Sequence, residues 1–200
     1  VLKDYIARDR LDSRDAALAT RLCYGVLQNR SMLDFFLNQL LTGNSRNLHP
    51  VLRDILHMGL YQIYELDKIP VSAAVNESVL LTKKYCRWQR NAPGLVNAVL
   101  RNAIRTKGEL KQPRTLEERY SHPAALIELL RSYVGDEKLE PMLAANNDTP
   151  QTVVQVNTLQ ITADALTEVL RGEGVTVLPH RWMPDCLILS NPGNREQLQS

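Results

Sequence analysis

The fold of this 200-residue chain is decided by two stretches, LRDILHMGLYQIYELDKIPVSAAVNESVLLTKKY (residues 52–85) and GLVNAVLRNAIR (residues 94–105). Apolar residues recur in both at intervals of three and four, which places them on one face of an α-helix. Pro50, Pro70 and Pro93 stand where helices are expected to begin, because proline fits the first helical turn. The sequence therefore predicts three helices, whose inward faces are Leu52, Ile55, Leu56, Gly59 and Ile63, then Ala74, Val75, Ser78, Val79, Thr82 and Cys86, then Leu95, Val96, Val99, Leu100, Ala103 and Ile104.

Two further helices are predicted upstream of these stretches. Asp12 or Ser13 is a suitable N-cap for the first helix, and Gly43 with Asn44 is expected to end the second. Their apolar faces are predicted to be Ala19, Leu22, Cys23, Val26 and Leu27, then Leu33, Phe36, Leu37, Leu40 and Leu41. Five helices with short connections and no strand signal predict an all-α helical bundle over residues 1–108.

The pattern of apolar and polar residues changes after the bundle. A polar stretch predicts a linker over residues 109–115, and short β-branched runs then alternate with helical segments. The predicted segments are a helix over 123–145 broken near Gly135, a strand at 152–157 (TVVQVN), a helix over 162–171, and strands at 175–178 and 186–189. The strand–helix–strand–strand order predicts a small α+β domain over residues 116–200, within a chain that is mainly α.

Positive charge is concentrated in residues 81–114, which hold nine lysines and arginines and one acid, Glu109. The net charge there is +8, whereas the rest of the chain carries 15 basic and 21 acidic side chains, a net −6. So local an imbalance indicates a polyanionic partner, for which RNA is the best candidate. The alternative is a solvated basic face without a partner. The residues predicted to bind RNA are Lys83, Lys84, Arg87, Arg90, Arg101, Arg105 and Lys107.

Three side chains near these charges have two interpretations each. Tyr85 and Trp88 could stack on an exposed base, or Tyr85 could belong to the core while Trp88 covers a helix end. Asn97 lies beside Arg101 on the helical wheel and could bind a nucleotide. We favour a structural role for Asn97, because a buried amide without a partner costs about 1–3 kcal/mol.

Signals for catalysis, metal binding and membrane insertion are missing from the sequence. It contains no glycine-rich nucleotide-binding motif, its four histidines are scattered, and no run of about 18 apolar residues occurs. Cys23, Cys86 and Cys186 lie in apolar patterns, which favours buried structural thiols. We therefore expect no catalytic, cofactor-binding or metal-binding residue in this chain, no membrane partner, and a cytoplasmic monomer.

A family resemblance adds to these predictions. Five segments resemble the N-terminal region of the small-subunit ribosomal RNA methyltransferase B (Sun/Fmu) family. They are DAALATRLCYGVLQNRSMLDFFLNQLL (residues 15–41), the two stretches quoted first, YSHP (120–123) and VNTLQ (156–160). The three blocks within the bundle more loosely resemble the transcription antitermination factor NusB. The resemblance covers most of the chain and implies a NusB-like bundle.

The resemblance implies a function for the parent protein and a narrower one for this chain. Enzymes of the family methylate cytosine at carbon 5, and their S-adenosylmethionine site and two catalytic cysteines lie in a Rossmann-like domain that follows this region. This chain would then bind small-subunit ribosomal RNA without performing the chemistry. Two alternatives remain open: a non-enzymatic NusB-like adaptor for antitermination, which binds RNA and a ribosomal protein, and a bundle that binds only protein.

Overall fold

The structure is a computed structural model that describes residues 1–41, 47–148 and 150–190. Contacts divide the chain into two compact units, residues 1–147 and residues 148–200. The helices of the first unit are α1 (Leu2–Arg8), α2 (Ser13–Gln28), α3 (Arg30–Leu40), α4 (Pro50–Glu65), α5 (Val71–Tyr85), α6 (Ala92–Arg105), α7 (Leu116–Tyr120) and α8 (Ala124–Asn147). The five predicted helices are confirmed as α2–α6, while Gly43 and Asn44 lie outside the described residues.

Helix α4 lies at the centre of the bundle and contacts α2, α3, α5 and α6. All five of its predicted inward residues are buried, and the predicted stripes of α5 and α6 are buried or half-buried. Gly59 is needed in this position because a Cβ there would come within 2.6 Å of a methyl group of Leu100 on α6. The buried hydroxyls of Ser78 and Thr82 donate to the carbonyls of Ala74 and Ser78, so α5 satisfies its own polar groups.

The predicted face of α2 is wrong at two positions. Cys23 and Leu27 are exposed, whereas Gly25 is buried against the ring of Tyr61 on α4. At 100° per residue, Cys23 and Leu27 each lie about 160° around the helix from Gly25. Because α2 packs through its glycine, both side chains turn to solvent, and the prediction of a buried thiol at Cys23 fails with it.

Residues 106–147 pack against the bundle. The amide of Gln39 on α3 pairs with the backbone of Lys111, donating to its carbonyl at 3.1 Å and accepting from its N–H at 2.9 Å. The backbone N–H of Met32 donates to Ser121 Oγ, and Gln28 donates to the carbonyl of Asn147. The division of contacts likewise groups residues 116–147 with the bundle, and the domain boundary expected at residue 116 stays a prediction.

Two local features of α7 and α8 follow from the sequence. Thr115 and Glu118 form a capping box at the start of α7. Burial acts to raise the pKa of Glu118, but hydrogen bonds from Thr115 and from the backbone of Arg114 outweigh it, so this pKa is lowered. Gly135 has φ = 75° and kinks α8, which confirms the break predicted there.

The second unit is a three-stranded antiparallel sheet with one helix. Its elements are β1 (Thr152–Gln155), α9 (Ala163–Gly172), β2 (Thr176–Pro179) and β3 (Cys186–Ser190), with strand order β1-β3-β2. Leu170 of α9 is buried with Val177, Leu187 and Leu189 of the sheet. The turn from α9 to β2 passes through Gly174 at φ = 82°, a conformation that favours glycine. The predicted strand–helix–strand–strand order is therefore confirmed.

Candidate nucleic-acid interface

All seven predicted RNA-binding residues are exposed and belong to one helical hairpin, α5–α6, and its flanks. Helix α5 ends at Tyr85, a short turn follows, and α6 returns against it from Ala92. Within the described part of the chain, none of the seven forms an ion pair with a carboxylate. The seven ion pairs found there involve other groups: the N-terminus, Arg8, His57, Arg119, Arg131 and Arg171. The positive charge of the hairpin is therefore not neutralised internally.

Four of the seven side chains form a group at the turn of the hairpin, which we call the turn cluster: Lys83, Lys84, Arg87 and Arg90. Lys83 and Lys84 lie in the last turn of α5, where cations are also favoured by the helix dipole. Arg87 and Arg90 lie in the turn itself. Helix geometry thus explains part of the lysine placement, but it gives no structural reason for the two arginines.

Aromatic side chains accompany the turn cluster. Tyr85 is 50% exposed, so the alternative that places it in the core is wrong. Trp88 is 58% exposed, and its ring centroid lies 4.6 Å from that of His49, the N-cap of α4. Trp88 therefore does lie against a helix end, yet more than half of it is open to solvent beside the cations. Both rings are accessible to a stacking base.

Arg101 and Arg105 form a second group, the α6 pair. Arg101 lies nine residues after the first residue of α6, about 14 Å along the helix axis. Arg101 Nε donates to Asn97 Oδ1 at 2.9 Å, and Arg105 Nη2 donates to Asn102 Oδ1 at 2.9 Å. Half-buried Asn97 thus orients an arginine through its side-chain oxygen.

The α6 pair borders a groove between the end of α3 and α6. The groove has a volume of about 530 Å³, and its described lining is Leu40, Leu41, Leu95, Ala98, Val99, Arg101, Asn102 and Arg105. Its apolar floor and its two guanidinium groups come from helices that are not consecutive in the sequence. Helical periodicity identifies the arginines, but it carries no signal for the groove, for Asn102 or for the floor.

Lys107 differs from the other six predicted residues. Its Nζ donates to the carbonyl of Ile63 at 3.0 Å and lies 5.6 Å from the ring of Tyr64, in the last turns of α4. Burial raises the pKa of Tyr64 to about 12, so its phenol stays neutral beside this ammonium group. Lys107 satisfies an end carbonyl of α4, which is a structural role.

The described residues offer no cluster of three or more His, Cys, Asp and Glu side chains able to hold a metal ion. Cys86 and Cys186 are buried, and burial raises the pKa of the Cys86 thiol, which disfavours the reactive thiolate. Cys186 Sγ lies 3.9 Å from the sulfur of Met183. Across the parts of the chain that the structure describes, no helix is long and apolar enough to cross a membrane.

Comparison with known proteins identifies the family to which this chain belongs. Residues 1–105 match the NusB family, which is more than half of the chain. The chain belongs to the NusB family. Residues 122–196 match a second domain type, described as Methyltr_RsmF/B-like, ferredoxin-like domain. A NusB helical domain is therefore followed by a small ferredoxin-like domain, which confirms the predicted fold class. The predicted linker, residues 109–115, lies between the two matches.

Similar proteins with curated names are ribosomal RNA methyltransferases. Ribosomal RNA small subunit methyltransferase B of Shigella sonnei (strain Ss046) is 32% identical over 190 residues, covering 92% of this chain and 42% of the relative. Proteins of the same name from Escherichia coli O1:K1 / APEC and Escherichia fergusonii show the same identity and coverage. The chain thus spans about two fifths of the length of these relatives, and the resemblance to their N-terminal region is confirmed.

A solved structure shares the fold. The crystal structure of PH0851 superposes with a TM-score of 0.64 at 17% sequence identity, over 97% of this chain and 44% of that chain. This likeness covers both the NusB helical domain and the ferredoxin-like domain.

Proposed function

We propose that this chain is the RNA-recognition region of an S-adenosylmethionine-dependent methyltransferase that modifies cytosine at carbon 5 in small-subunit ribosomal RNA. The observation that carries the proposal is the exposed positive charge of the α5–α6 hairpin, which no carboxylate of the described residues neutralises. The named relatives, which are ribosomal RNA small subunit methyltransferases B, supply the substrate class.

The hairpin would contribute binding energy and orientation. Lysine and arginine side chains that contact phosphates release condensed counterions, which gives affinity for any RNA strand. The turn cluster precedes the first residue of α6, which lies about 14 Å along the helix axis from Arg101, so a strand of a few nucleotides could contact both groups. Holding the RNA in this way would present one cytosine to a catalytic domain. Because carbon 5 must be accessible, we expect an unpaired or flipped base as the target.

The described residues of this chain do not fit S-adenosylmethionine. Rossmann-like domains carry their cofactor on a glycine-rich turn between a strand and the following helix. In the ferredoxin-like domain, β1 ends at Gln155 and α9 begins at Ala163, and no glycine lies between them. In the proposal the described residues have no cofactor-binding or catalytic role, and the chain acts as a cytoplasmic monomer without a metal.

The experiment that tests the proposal measures binding of this chain to fragments of small-subunit and large-subunit ribosomal RNA of equal length. We expect tighter binding to fragments of the small subunit. A variant with Arg87, Arg90, Arg101 and Arg105 changed to Ala should bind both weakly while keeping its melting temperature. Absence of RNA binding by the unchanged chain in 50 mM salt would refute the proposal.

A second candidate function is a non-enzymatic adaptor for antitermination, which the NusB match over residues 1–105 favours. The two functions differ in whether the full-length gene product transfers a methyl group. Incubation of that product with radiolabelled S-adenosylmethionine and small-subunit RNA should give labelled 5-methylcytosine if the methyltransferase proposal holds. RNA binding without methyl transfer, together with capture of a ribosomal protein, would favour the adaptor.

A further inference from the structure

The groove beside the α6 pair has an apolar floor and a positively charged edge, which together suit a ligand with an apolar part and an anionic part. Its floor is apolar, formed by Leu40 at the end of α3, by Leu41 directly after it, and by Leu95 and Val99 of α6. Two guanidinium groups, those of Arg101 and Arg105, stand at its edge. Its volume of about 530 Å³ lies within the range of about 300–1,000 Å³ that is typical of small-ligand sites.

The two arginines are held in place by neutral partners. Asn97 and Asn102 accept their hydrogen bonds, and amide oxygens orient a guanidinium group without cancelling its charge. A carboxylate in either position would neutralise the arginine and remove its attraction for an anion. The described lining contains no acidic side chain. Both arginines are therefore pre-oriented and keep their full positive charge.

We infer that this groove receives a single unpaired nucleotide of the bound RNA, with the base against the apolar floor and the adjoining phosphate on Arg101 and Arg105. The inference rests on the proposed function and names the place at which the protein would distinguish single-stranded RNA from a duplex. A base in a duplex is stacked and paired, so its faces are not available to an apolar floor, whereas an unpaired base can leave the stack.

Charge complementarity favours RNA over an acidic peptide as the occupant. The turn cluster adds four cations just before the start of α6, which lies about 14 Å along the helix axis from Arg101. A repeating phosphate backbone matches cations in both places, and the exposed rings of Tyr85 and Trp88 can contact further bases. The carboxylate side chains of an acidic peptide would not stack on these rings.

Ala98 allows the groove to be closed without changing any charge. Its small side chain is exposed and lines the groove, so Ala98→Trp would place an indole over the floor. Ala73 is an exposed alanine of α5 outside the described lining, and Ala73→Trp is the matched control. Thermal melts should show both variants folded.

The assay compares two fluorescent probes with equal numbers of phosphates, octauridylate and an abasic oligomer. The unchanged chain and Ala73→Trp should bind octauridylate about tenfold more tightly than Ala98→Trp does, and the preference for octauridylate over the abasic oligomer should be smaller in Ala98→Trp than in either of them. Equal affinity of the unchanged chain and Ala98→Trp for octauridylate would refute the groove inference and leave the proposed function standing. Failure of the unchanged chain to bind either probe would refute both.

Two further measurements keep the inference testable if Ala98→Trp does not fold. Octauridylate containing 4-thiouridine should photocrosslink to the unchanged chain within residues 95–105 or at Leu40 and Leu41, and crosslinks found only elsewhere would contradict the groove site. Octa-aspartate should displace the RNA poorly. Displacement as effective as that by unlabelled octauridylate would assign the groove to an acidic peptide and overturn the inference.

Discussion

Gly25→Ala should destabilise the bundle, because Gly25 is where α2 and α4 approach each other. A Cβ built on Gly25 lies 2.1 Å from Cζ of Tyr61 and 2.2 Å from its hydroxyl oxygen, and Tyr61 is only 7% exposed. Ordinary contact needs about 3.4–4 Å, so the ring must move by more than about 1 Å within a packed core, or the helices must separate.

The magnitude follows from two opposing effects. Overpacking a buried contact costs about 1–3 kcal/mol, and an overlap this close belongs at the upper end of that range. Replacing glycine by alanine inside a helix stabilises it by about 1 kcal/mol. The net loss is about 2 kcal/mol, which lowers the melting temperature by about 4–8 °C for a chain of this size.

Thermal unfolding followed by circular dichroism measures this loss, and Gly94 supplies the control. A Cβ on Gly94, in the first turn of α6, meets no atom within 4 Å, so Gly94→Ala should leave the melting temperature unchanged or raise it slightly. The cost of Gly25→Ala should also shrink when Tyr61 is changed to Leu, which removes the ring hydroxyl and shortens the side chain. An unchanged or higher melting temperature for Gly25→Ala would refute this account of α2–α4 packing.

Three other predictions concern side chains whose roles the structure separates. Lys107→Ala should lower the melting temperature by about 2–4 °C, as expected for the loss of about 1 kcal/mol at the end of α4, and should reduce RNA affinity less than Arg101→Ala does in the same titration. In the native protein a thiol reagent should modify Cys23 rapidly and the two buried cysteines only after unfolding, and equal rates for all three would contradict their burial. Glu118→Ala should lower the melting temperature at pH 7 by about 2–4 °C, since it removes one side of a capping box. That difference should disappear as the pH falls through the lowered pKa of Glu118, because a carboxylate with a depressed pKa stabilises the fold only while it is ionised.

Periodicity predicts the fold well wherever one helix face is apolar and the other polar. The three central helices α4, α5 and α6 begin within two residues of Pro50, Pro70 and Pro93, and their inward residues are those expected from the sequence. Helix α2 is harder to orient from the sequence, because the contact that sets its rotation is made by a glycine. A glycine has no side chain and so adds nothing to an apolar pattern, and the pattern therefore places Cys23 and Leu27 on the wrong side of the helix.

The candidate site was predictable in its charges but not in its geometry. Four of the seven cations are exposed because they lie on polar helix faces, and the other three, Arg87, Arg90 and Lys107, lie in the segments that flank α6. The division into a turn cluster and an α6 pair depends on how α5 and α6 return against each other. The hydrogen bond from Lys107 to the carbonyl of Ile63 joins residues 44 positions apart, and the groove is formed between α3 and α6. Neither feature produces a pattern within a short stretch of sequence.

The most direct test of the central claim is the salt dependence of RNA binding by the unchanged chain. If six exposed cations contact phosphates of a single strand, the logarithm of the association constant should fall against the logarithm of salt concentration with a slope of about −4. Changing Arg87, Arg90, Arg101 and Arg105 to Ala should bring the slope to about −1, since four contacts are removed. A slope near zero for the unchanged chain, or the same slope in the fourfold variant, would contradict RNA recognition by the α5–α6 hairpin.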